Sequence, residues 1–329
     1  SAGDVNGDGY EDVVIGAPRY KNGDLESDEG RIYLYLGSAA GLTDTPLTLE
    51  IDQKDAQFGY AVSGAGDVNG DGYDDVLVGA RYYTNGQTNE GGAFLYLGSG
   101  SGLSTTAVWS FEGNQGTAVA GAGDINQDGY ADVLIGAPYF DTPDVDAGAV
   151  FFFLGGDQGP GAEPDWTLIG PHAGTLFGMA VAGAGDVNQD GCADLLIGAP
   201  HYSHDQENEG AALLYLGQPA LPLPDAPTPA WMAESDQLGA LMGTAVAGGR
   251  DVNHDGHPDV LIGAPLYSDD QSNEGRASIY LGTASGLTAR PAWHGYGNKA
   301  ETLYGQSVSG GGYVNADDYA DILVGAPDF

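Results

Sequence analysis

The stretch Asp4-Val5-Asn6-Gly7-Asp8-Gly9-Tyr10-Glu11-Asp12, DVNGDGYED, governs the reading of the chain because it keeps returning. It recurs as DVNGDGYDD from Asp67, DINQDGYAD from Asp124, DVNQDGCAD from Asp186 and DVNHDGHPD from Asp251, and in eroded form as YVNADDYAD from Tyr313. Copies lie 57 to 65 residues apart, longer than the ~20 to 50 residues of solenoid units and propeller blades. Each copy sits in the same surroundings. A small-residue segment precedes it, as in FGYAVSGAG from Phe58, QGTAVAGAG from Gln115 or FGMAVAGAG from Phe177, and a β-branched run follows, as in VVIGAP from Val13 or VLIGAP from Val133. An apolar, aromatic run comes next, such as RIYLYLG from Arg31 or GAVFFFLG from Gly148. A short segment around Trp109, Trp166, Trp231 or Trp293 closes most units.

Turn-forming Gly, Pro, Asn and Asp separate these runs, and none carries a sustained helical period. The spacing therefore predicts an all-β chain of four antiparallel strands per repeat, A to D, with no helix. Four-stranded sheets repeated radially make a β-propeller, and the small residues of strand A suit its crowded innermost position. The chain is expected to form a single β-propeller domain over residues 1–329. Its repeats cover approximately 1–57, lacking strand A, then 58–114, 115–176, 177–241, 242–303, and 304–329, with strands A and B only. That makes 21 strands, not a whole number of blades.

Composition narrows the function. The 329 residues carry 47 Asp and Glu against 9 Lys and Arg, a formal net charge of −38, which excludes nucleic-acid binding because phosphate neutralisation needs a basic face. A hydrophobic fraction of 42% with 19 Tyr, 9 Phe and 4 Trp supports a packed core, unlike an acidic disordered tail. Cys192 is the single cysteine, so no internal disulfide can brace the loops. No apolar run approaches the ~20 residues of a membrane helix, so no membrane insertion by this segment is expected, and no signal peptide is recognisable.

The acids themselves supply a brace. A D-x-N-x-D-G-x-x-D loop offers carboxylates at positions 1, 5 and 9, an amide oxygen at 3 and a backbone carbonyl at 7, with Gly at 6 for the sharp turn. The metal ligands read this way are Asp4, Asn6, Asp8, Tyr10 and Asp12; Asp67, Asn69, Asp71, Tyr73 and Asp75; Asp124, Asn126, Asp128, Tyr130 and Asp132; Asp186, Asn188, Asp190, Cys192 and Asp194; and Asp251, Asn253, Asp255, His257 and Asp259. At position 7 only the backbone is used. Three Asp within nine residues repel unless a cation neutralises them, which favours Ca2+, about five ions, over an Asx-rich hairpin without metal. Position 12 is Ile15, Val78, Ile135, Ile197 or Ile262 rather than the Glu of an EF-hand, the strand that follows also argues against a dockerin, and so many protein oxygens disfavour Mg2+. The loop at Tyr313 has lost its first Asp and its turn Gly, and is expected to be empty or weak.

A strand opening Phe-Gly, then D-x-N-x-D-G-x-x-D, then a strand ending Gly-Ala-Pro, resembles the FG-GAP repeat of the integrin α-subunit propeller and its bacterial relatives. The likeness runs the whole length. Phe-Gly stands at Phe58-Gly59 and Phe177-Gly178 and becomes Gln115-Gly116, Met242-Gly243 and Tyr304-Gly305, and Gly-Ala-Pro is intact except at Arg81. The resemblance implies a seven-bladed type, present here as an incomplete ring, with a closed six-blade ring as the alternative. It also implies calcium in the A to B hairpins of the lower face and ligands on the upper face. An aromatic follows each strand B, Tyr20, Tyr83, Phe140, Tyr202, Tyr267 and Phe329, and the first five are candidate ligand-binding residues, with packing between blades the competing reading. The strand D Trp is read as filling the gap between blades.

Other chemistry is sparse. His201 and His204 form an H-x-x-H pair beside Asp205 and Glu207, read as solvated surface rather than zinc, and no H-E-x-x-H, G-x-S-x-G or P-loop occurs. No Asp and Glu pair stands out as glycosidase carboxylates. The reading is a non-catalytic, calcium-binding interaction or adhesion module, extracellular or at the cell surface, since loops of ~0.1 to 1 mM affinity fill only where calcium is abundant. Its partner is a protein or glycan ligand on the face opposite the calcium loops. A lectin propeller, or the propeller domain of a polysaccharide-active enzyme, is the alternative.

Overall fold

The computed structural model describes residues 1–21, 27–86, 88–113, 118–219, 228–315 and 317–328. Gln115, Gly116 and Phe329, singled out above, lie outside the described residues, as does part of the first B to C connection. Among the described residues there are 21 strands and no helix. The first repeat supplies β1 (Val13–Ala17), β2 (Arg31–Tyr35) and β3 (Leu47–Leu49). The second supplies β4 (Phe58–Gly66), β5 (Asp75–Ala80), β6 (Gly92–Tyr96) and β7 (Trp109–Glu112), and the third β8 (Ala118–Gly123), β9 (Asp132–Ala137), β10 (Ala149–Phe153) and β11 (Trp166–Ile169). The fourth holds β12 (Ala180–Gly185), β13 (Asp194–Ala199), β14 (Ala211–Tyr215) and β15 (Trp231–Glu234), and the fifth β16 (Ala245–Arg250), β17 (Asp259–Ala264), β18 (Arg276–Tyr280) and β19 (Trp293–Tyr296). The sixth has β20 (Ser307–Gly312) and β21 (Asp321–Gly325).

Each repeat forms one sheet whose strands follow in chain order, as the blades of a β-propeller do: three strands in the first, four in the next four, two in the last. The chain divides into two compact units, Ser1–Gly123 with Gly129–Phe140 and Phe151–Thr167, and Asp124–Asp128 with Asp141–Val150 and Leu168–Phe329. In the first unit β1 lies beside β4 and β4 beside β8; in the second, β12 lies beside β16 and β16 beside β20. Within each unit, strand A of a repeat therefore packs against strand A of the next, β4 on β8, β12 on β16 and β16 on β20, while β1, a strand B, takes the place beside β4 in the first repeat. Side chains there must be small: a Cβ on Gly121 would lie 2.7 Å from the Gly64 carbonyl oxygen. Strands B and C of the four complete repeats are buried along their whole length, which accounts for their unbroken apolar runs, whereas β1 and β21 are half-buried.

The structure gives the repeat signature its physical content. Phe58 and Phe177 are fully buried, and the Phe58 ring meets Phe94 and Tyr96 edge-on at 5.9 and 6.2 Å. The backbones of Phe58, Phe177, Met242 and Tyr304 bridge to Gly30, Gly148, Gly210 and Gly275, the residues just before strand C of the preceding repeat. The Gly of Gly-Ala-Pro answers the Gly of Phe-Gly: a Cβ on Gly198 would sit 2.0 Å from the Gly243 carbonyl oxygen, and one on Gly263 equally close to that of Gly305. Two glycines per repeat thus let neighbouring sheets touch through backbone.

Two of the strand D tryptophans, Trp109 and Trp231, join adjacent repeats, while Trp166 packs on Phe152 of its own repeat at 4.7 Å. Trp109 Nε1 donates to the Gly161 carbonyl at 2.6 Å and its ring meets Phe153 at 4.8 Å; Trp231 Nε1 donates to the Thr288 carbonyl at 3.0 Å and its ring meets Tyr280 at 4.8 Å. Trp293, whose following repeat contributes only β20 and β21, is 40% exposed.

The glycine contact can be tested directly. Gly198→Ala should destabilise by about 1 to 3 kcal/mol, the cost of overpacking a filled interior, whereas Gly156→Ala, with nothing within 4 Å of the new Cβ, should change stability by less than about 0.5 kcal/mol. Denaturant unfolding of the two variants checks this, and equal effects would disprove the backbone-contact account.

Candidate metal centre

The acidic loops close the A to B hairpins, and four of them share one hydrogen-bond scheme. In the first, Asp4 Oδ1 accepts the Asp8 N–H at 3.0 Å and Oδ2 the Gly9 N–H at 2.7 Å; Asn6 Oδ1 also accepts from Asp8, and Asp8 Oδ1 accepts the Tyr10 N–H at 3.0 Å. Loops two, four and five repeat these bonds at matching positions. In the third loop Asp128 N–H donates to Asp124 and Asn126 in the same way. The sixth loop keeps the Asn315 and Asp317 bonds but has no carboxylate at position 1.

Position 9 is different. Asp12, Asp75, Asp132, Asp194 and Asp259 are all buried. Asp75 Oδ2 accepts the Val68 N–H at 3.0 Å, closing the loop onto its own position 2, and Oδ1 accepts the Gly98 N–H at 2.9 Å, reaching the glycine that ends strand C. Asp12, Asp194 and Asp259 make the same pair of bonds, and Asp132 the one to Gly155. The recurring Leu-Gly after strand C is the signal, unread in the sequence, that marks this anchor. Burial, with further repulsion from the neighbouring loop Asp residues, pushes Asp75 and Asp194 up to about 7 and Asp259 up to about 6, against two backbone N–H groups that pull the other way.

The donor set fits a hard divalent cation: three carboxylates, an amide oxygen and a carbonyl, with lone pairs left over on every carboxylate that already accepts a loop N–H. In loops one, two, four and five, however, the three Asp do not draw their oxygens within 4.8 Å of one another. Successive loops are also bonded together. The N–H at position 8 donates to the position 1 carbonyl of the preceding loop: Asp74 to Asp4 at 3.2 Å, Ala131 to Asp67 at 2.9 Å, Ala193 to Asp124 at 2.9 Å and Ala320 to Asp251 at 3.1 Å. Pro258 occupies that position in the fifth loop and has no N–H to give. The side chains at position 7 also pack on the preceding loop. The Tyr73 ring lies where a Gly7 side chain would be, Tyr130 stands likewise over Gly70, and His257 Nδ1 is 3.1 Å from the Val187 carbonyl oxygen.

The FG-GAP repeat family matches residues 1–35, 177–215 and 242–280, and the FG-GAP-like repeat matches 67–135. The chain belongs to the FG-GAP repeat family. It is integrin-like: integrin alpha-PS2 of Drosophila melanogaster is 35% identical over 222 residues, 62% of this chain and 15% of that protein, and integrin alpha-5 of Xenopus laevis is 32% identical over 221 residues, 64% and 20%. Integrin alpha-6 of Homo sapiens is 37% identical over 138 residues, 41% and 12%. The chain therefore spans between about an eighth and a fifth of the length of these relatives. Among solved structures, the rhamnogalacturonan lyases YesX and YesW align over 93% of this chain, and 54% and 64% of theirs, at 14% and 13% identity with TM-scores of 0.46 and 0.43.

At the other end of the FG-GAP strands, Tyr20, Tyr83, Phe140, Tyr202 and Tyr267 are all half-buried at equivalent B to C positions. Each packs on its own repeat or its immediate surroundings: Tyr83 edge-on to Phe94 at 5.1 Å, Phe140 edge-on to Phe151 at 5.5 Å, Tyr267 beside Tyr296 at 6.1 Å, Tyr202 against His172 at 6.0 Å, and Tyr20 beneath the Arg31 guanidinium at 3.6 Å. Beside them stands a residue that sequence reasoning missed. The Glu of the Glu-Gly pair before strand C is buried at Glu29, Glu209 and Glu274. Glu274 Oε1 gathers the N–H groups of Asp269, Asp270 and Gln271 at 2.9, 3.0 and 3.4 Å, and Glu209 Oε1 those of His204, Asp205 and Gln206 at 2.9, 3.1 and 3.4 Å, so each pins its B to C loop. His201 is half-buried and its pKa is lowered by burial, while His204 is exposed with Nδ1 3.4 Å from Glu234 Oε2; neither joins a metal-ligating triplet among the described residues.

A pH test follows from position 9. In the metal-free protein Asp75, Asp194 and Asp259 hold protons in the folded state up to pH about 6 to 7, whereas unfolded Asp releases them near 3.9. The folded state then binds more protons through that window, so stability falls as pH rises from about 4 to about 7. Melting after chelation should occur at higher temperature at pH 5 than at pH 7.5, with the difference reduced in Asp75→Asn. A melting temperature that instead climbs over this range contradicts the assignment.

Proposed function

We propose that the chain is a calcium-braced, non-catalytic interaction module of an extracellular or cell-surface protein. The observation that carries this reading is the buried carboxylate at position 9 in five acidic loops, each bonded to the glycine that ends strand C and four of them also to their own loop. A fold that buries five such groups beside further Asp residues gains from a cation at each loop, and Ca2+ suits an all-oxygen donor set of flexible geometry. The ligands are those of positions 1, 3, 5, 7 and 9 of the loops beginning at Asp4, Asp67, Asp124, Asp186 and Asp251, making five ions. The likeness to integrin α chains supports the adhesive role, and sites of this kind support a calcium-rich location outside the cell. Among the described residues no helix is long and apolar enough to cross a membrane.

The partner surface belongs at the B to C end, where segments 19–30, 81–91, 139–147, 201–209 and 266–274 differ in length and sequence on a repeated scaffold. Their aromatics, packed on one side and exposed on the other, offer amphipathic contact area to a protein or glycan ligand.

Calorimetric titration of chelated protein should find five or more calcium equivalents, and chelation should lower the melting temperature substantially. Each site contributes about 2.7 kcal/mol at a hundredfold excess of ion over its dissociation constant. Fewer than four equivalents, or an unmoved melting curve, would overturn the calcium reading. Binding to a glycan array or an immobilised matrix protein should fall at least tenfold in Tyr83→Ala with calcium content unchanged, and wild-type binding by this variant would place the partner surface elsewhere.

A further inference from the structure

The fourth repeat holds a group of acids remote in sequence from the loops. Glu209 is fully buried, and while its Oε1 gathers three backbone N–H groups, its Oε2 is buried without a hydrogen-bond partner. Glu209, Glu234 and Asp236 each bring one carboxylate oxygen within 4.8 Å of the others. Sheet register puts them there. Ala211 at the start of β14 pairs with Glu234 at the end of β15, so Glu209 and Asp236 are the residues two beyond this pair on either strand. Burial, reinforced by Glu209, raises the Glu234 pKa. The exposed His204, with Nδ1 3.4 Å from Glu234 Oε2, is the sole basic side chain within 4 Å of the three acids' carboxylate oxygens among the described residues.

Comparison between repeats identifies what is missing. The first repeat has the same triplet, Glu29, Glu50 and Asp52, with Arg31 beside it; Arg31 forms an ion pair with Glu50 and stacks on Tyr20. The fifth keeps the arginine, Arg276, stacked on Tyr267 at 3.8 Å, and has Tyr296 and Asn298 where the second and third acids would stand. The fourth keeps all three acids and the tyrosine, Tyr202, but has Ala211 in the arginine position. Arg276 and Arg290 line the cavity that also borders Glu234 and Asp236, yet neither makes an ion pair with them among the described residues. Three clustered carboxylates, one of them with a buried oxygen that accepts no hydrogen bond, form an acceptor-only set that a cation would complete.

We propose that Glu209, Glu234 and Asp236 form a site for one divalent cation of the hard, oxygen-seeking class, Ca2+ or Mn2+, which takes the electrostatic place of Arg31 in the first repeat. The donor set is carboxylate throughout, with His204 at its margin. The ion would tie the B to C loop of the fourth repeat, through Glu209, to the end of β15. The site is separate from the acidic loops and does not depend on them.

Metal content after equilibrium dialysis against Ca2+ tests it. Glu209→Gln combined with Glu234→Gln should bind one equivalent fewer than the wild-type chain, Gln still accepting the loop N–H groups through its amide oxygen. Ala211→Arg, which leaves every acid in place and restores the arginine of the first and fifth repeats, should lose the same single equivalent. Glu274→Gln, altering the matching loop pin without a triplet, should lose none. Unchanged content in both the double variant and Ala211→Arg overturns the proposal, whatever the wild-type total; that total reports on the five loops separately. Should the variants not fold, crystals of the wild-type chain grown with Mn2+ should show an anomalous peak among the three acids, and its absence would equally overturn the site.

Discussion

The buried Asp at the ninth position of each acidic loop is the contact on which the repeat depends. One of its oxygens closes the hairpin between strands A and B, and the other holds the glycine that ends strand C. Three strands and a turn thus converge on a single carboxylate. A backbone N–H bonded to a charged acceptor is worth more than a neutral pair, but only if the charge is retained, and burial works against retaining it. The fold resolves this tension locally, since the same loop that buries the carboxylate gathers the oxygen donors around which a cation would sit. The structural anchor and the proposed metal ligands occupy the same nine residues.

The opposite end of the strands faces a comparable problem with different solutions. The buried Glu before strand C pins each B to C loop by accepting consecutive N–H groups, and its charge must also be met. In the first and fifth repeats an arginine stacked on tyrosine follows it by two residues, while in the second Asn85 Nδ2 bonds both oxygens of Glu112, the neighbouring acid on strand D. The third repeat dispenses with the acid altogether, having Ala147 there. One backbone architecture therefore carries several electrostatic variants, and only the backbone is common to all.

Much of this was legible in the sequence because repetition averages out local ambiguity. Six copies reveal the strand order, the 21 strands and the loop positions, and the packing role of Trp109 and Trp231 is legible because a recurring Trp on a short apolar strand has few other uses. What escaped was information that lies between repeats. The glycines of Gly-Ala-Pro and Phe-Gly are hard to interpret alone, since their reason is a backbone contact between neighbouring sheets so close that an added Cβ would lie 2.0 Å from a carbonyl oxygen. Position 7 reads as a carbonyl ligand, and the pattern gives no hint that the side chains of Tyr73, Tyr130 and His257 also reach the preceding loop. Glu29, Glu209 and Glu274 were hidden among 47 acids, and only burial sets them apart.

The bonds from position 8 to the loop before it give the acidic edge the character of a one-dimensional lattice with nearest-neighbour coupling. A change in one loop is felt first at the carbonyl of the adjoining one, so neighbouring hairpins share their order rather than acquiring it singly. Pro258 interrupts that conduction: with no proton to donate, it leaves the hydrogen bonds between the fifth loop and the fourth, among the described residues, to the side chains of Gln189 and His257. A single residue thereby acts as an insulator, and the fourth and fifth hairpins can respond to their surroundings out of step.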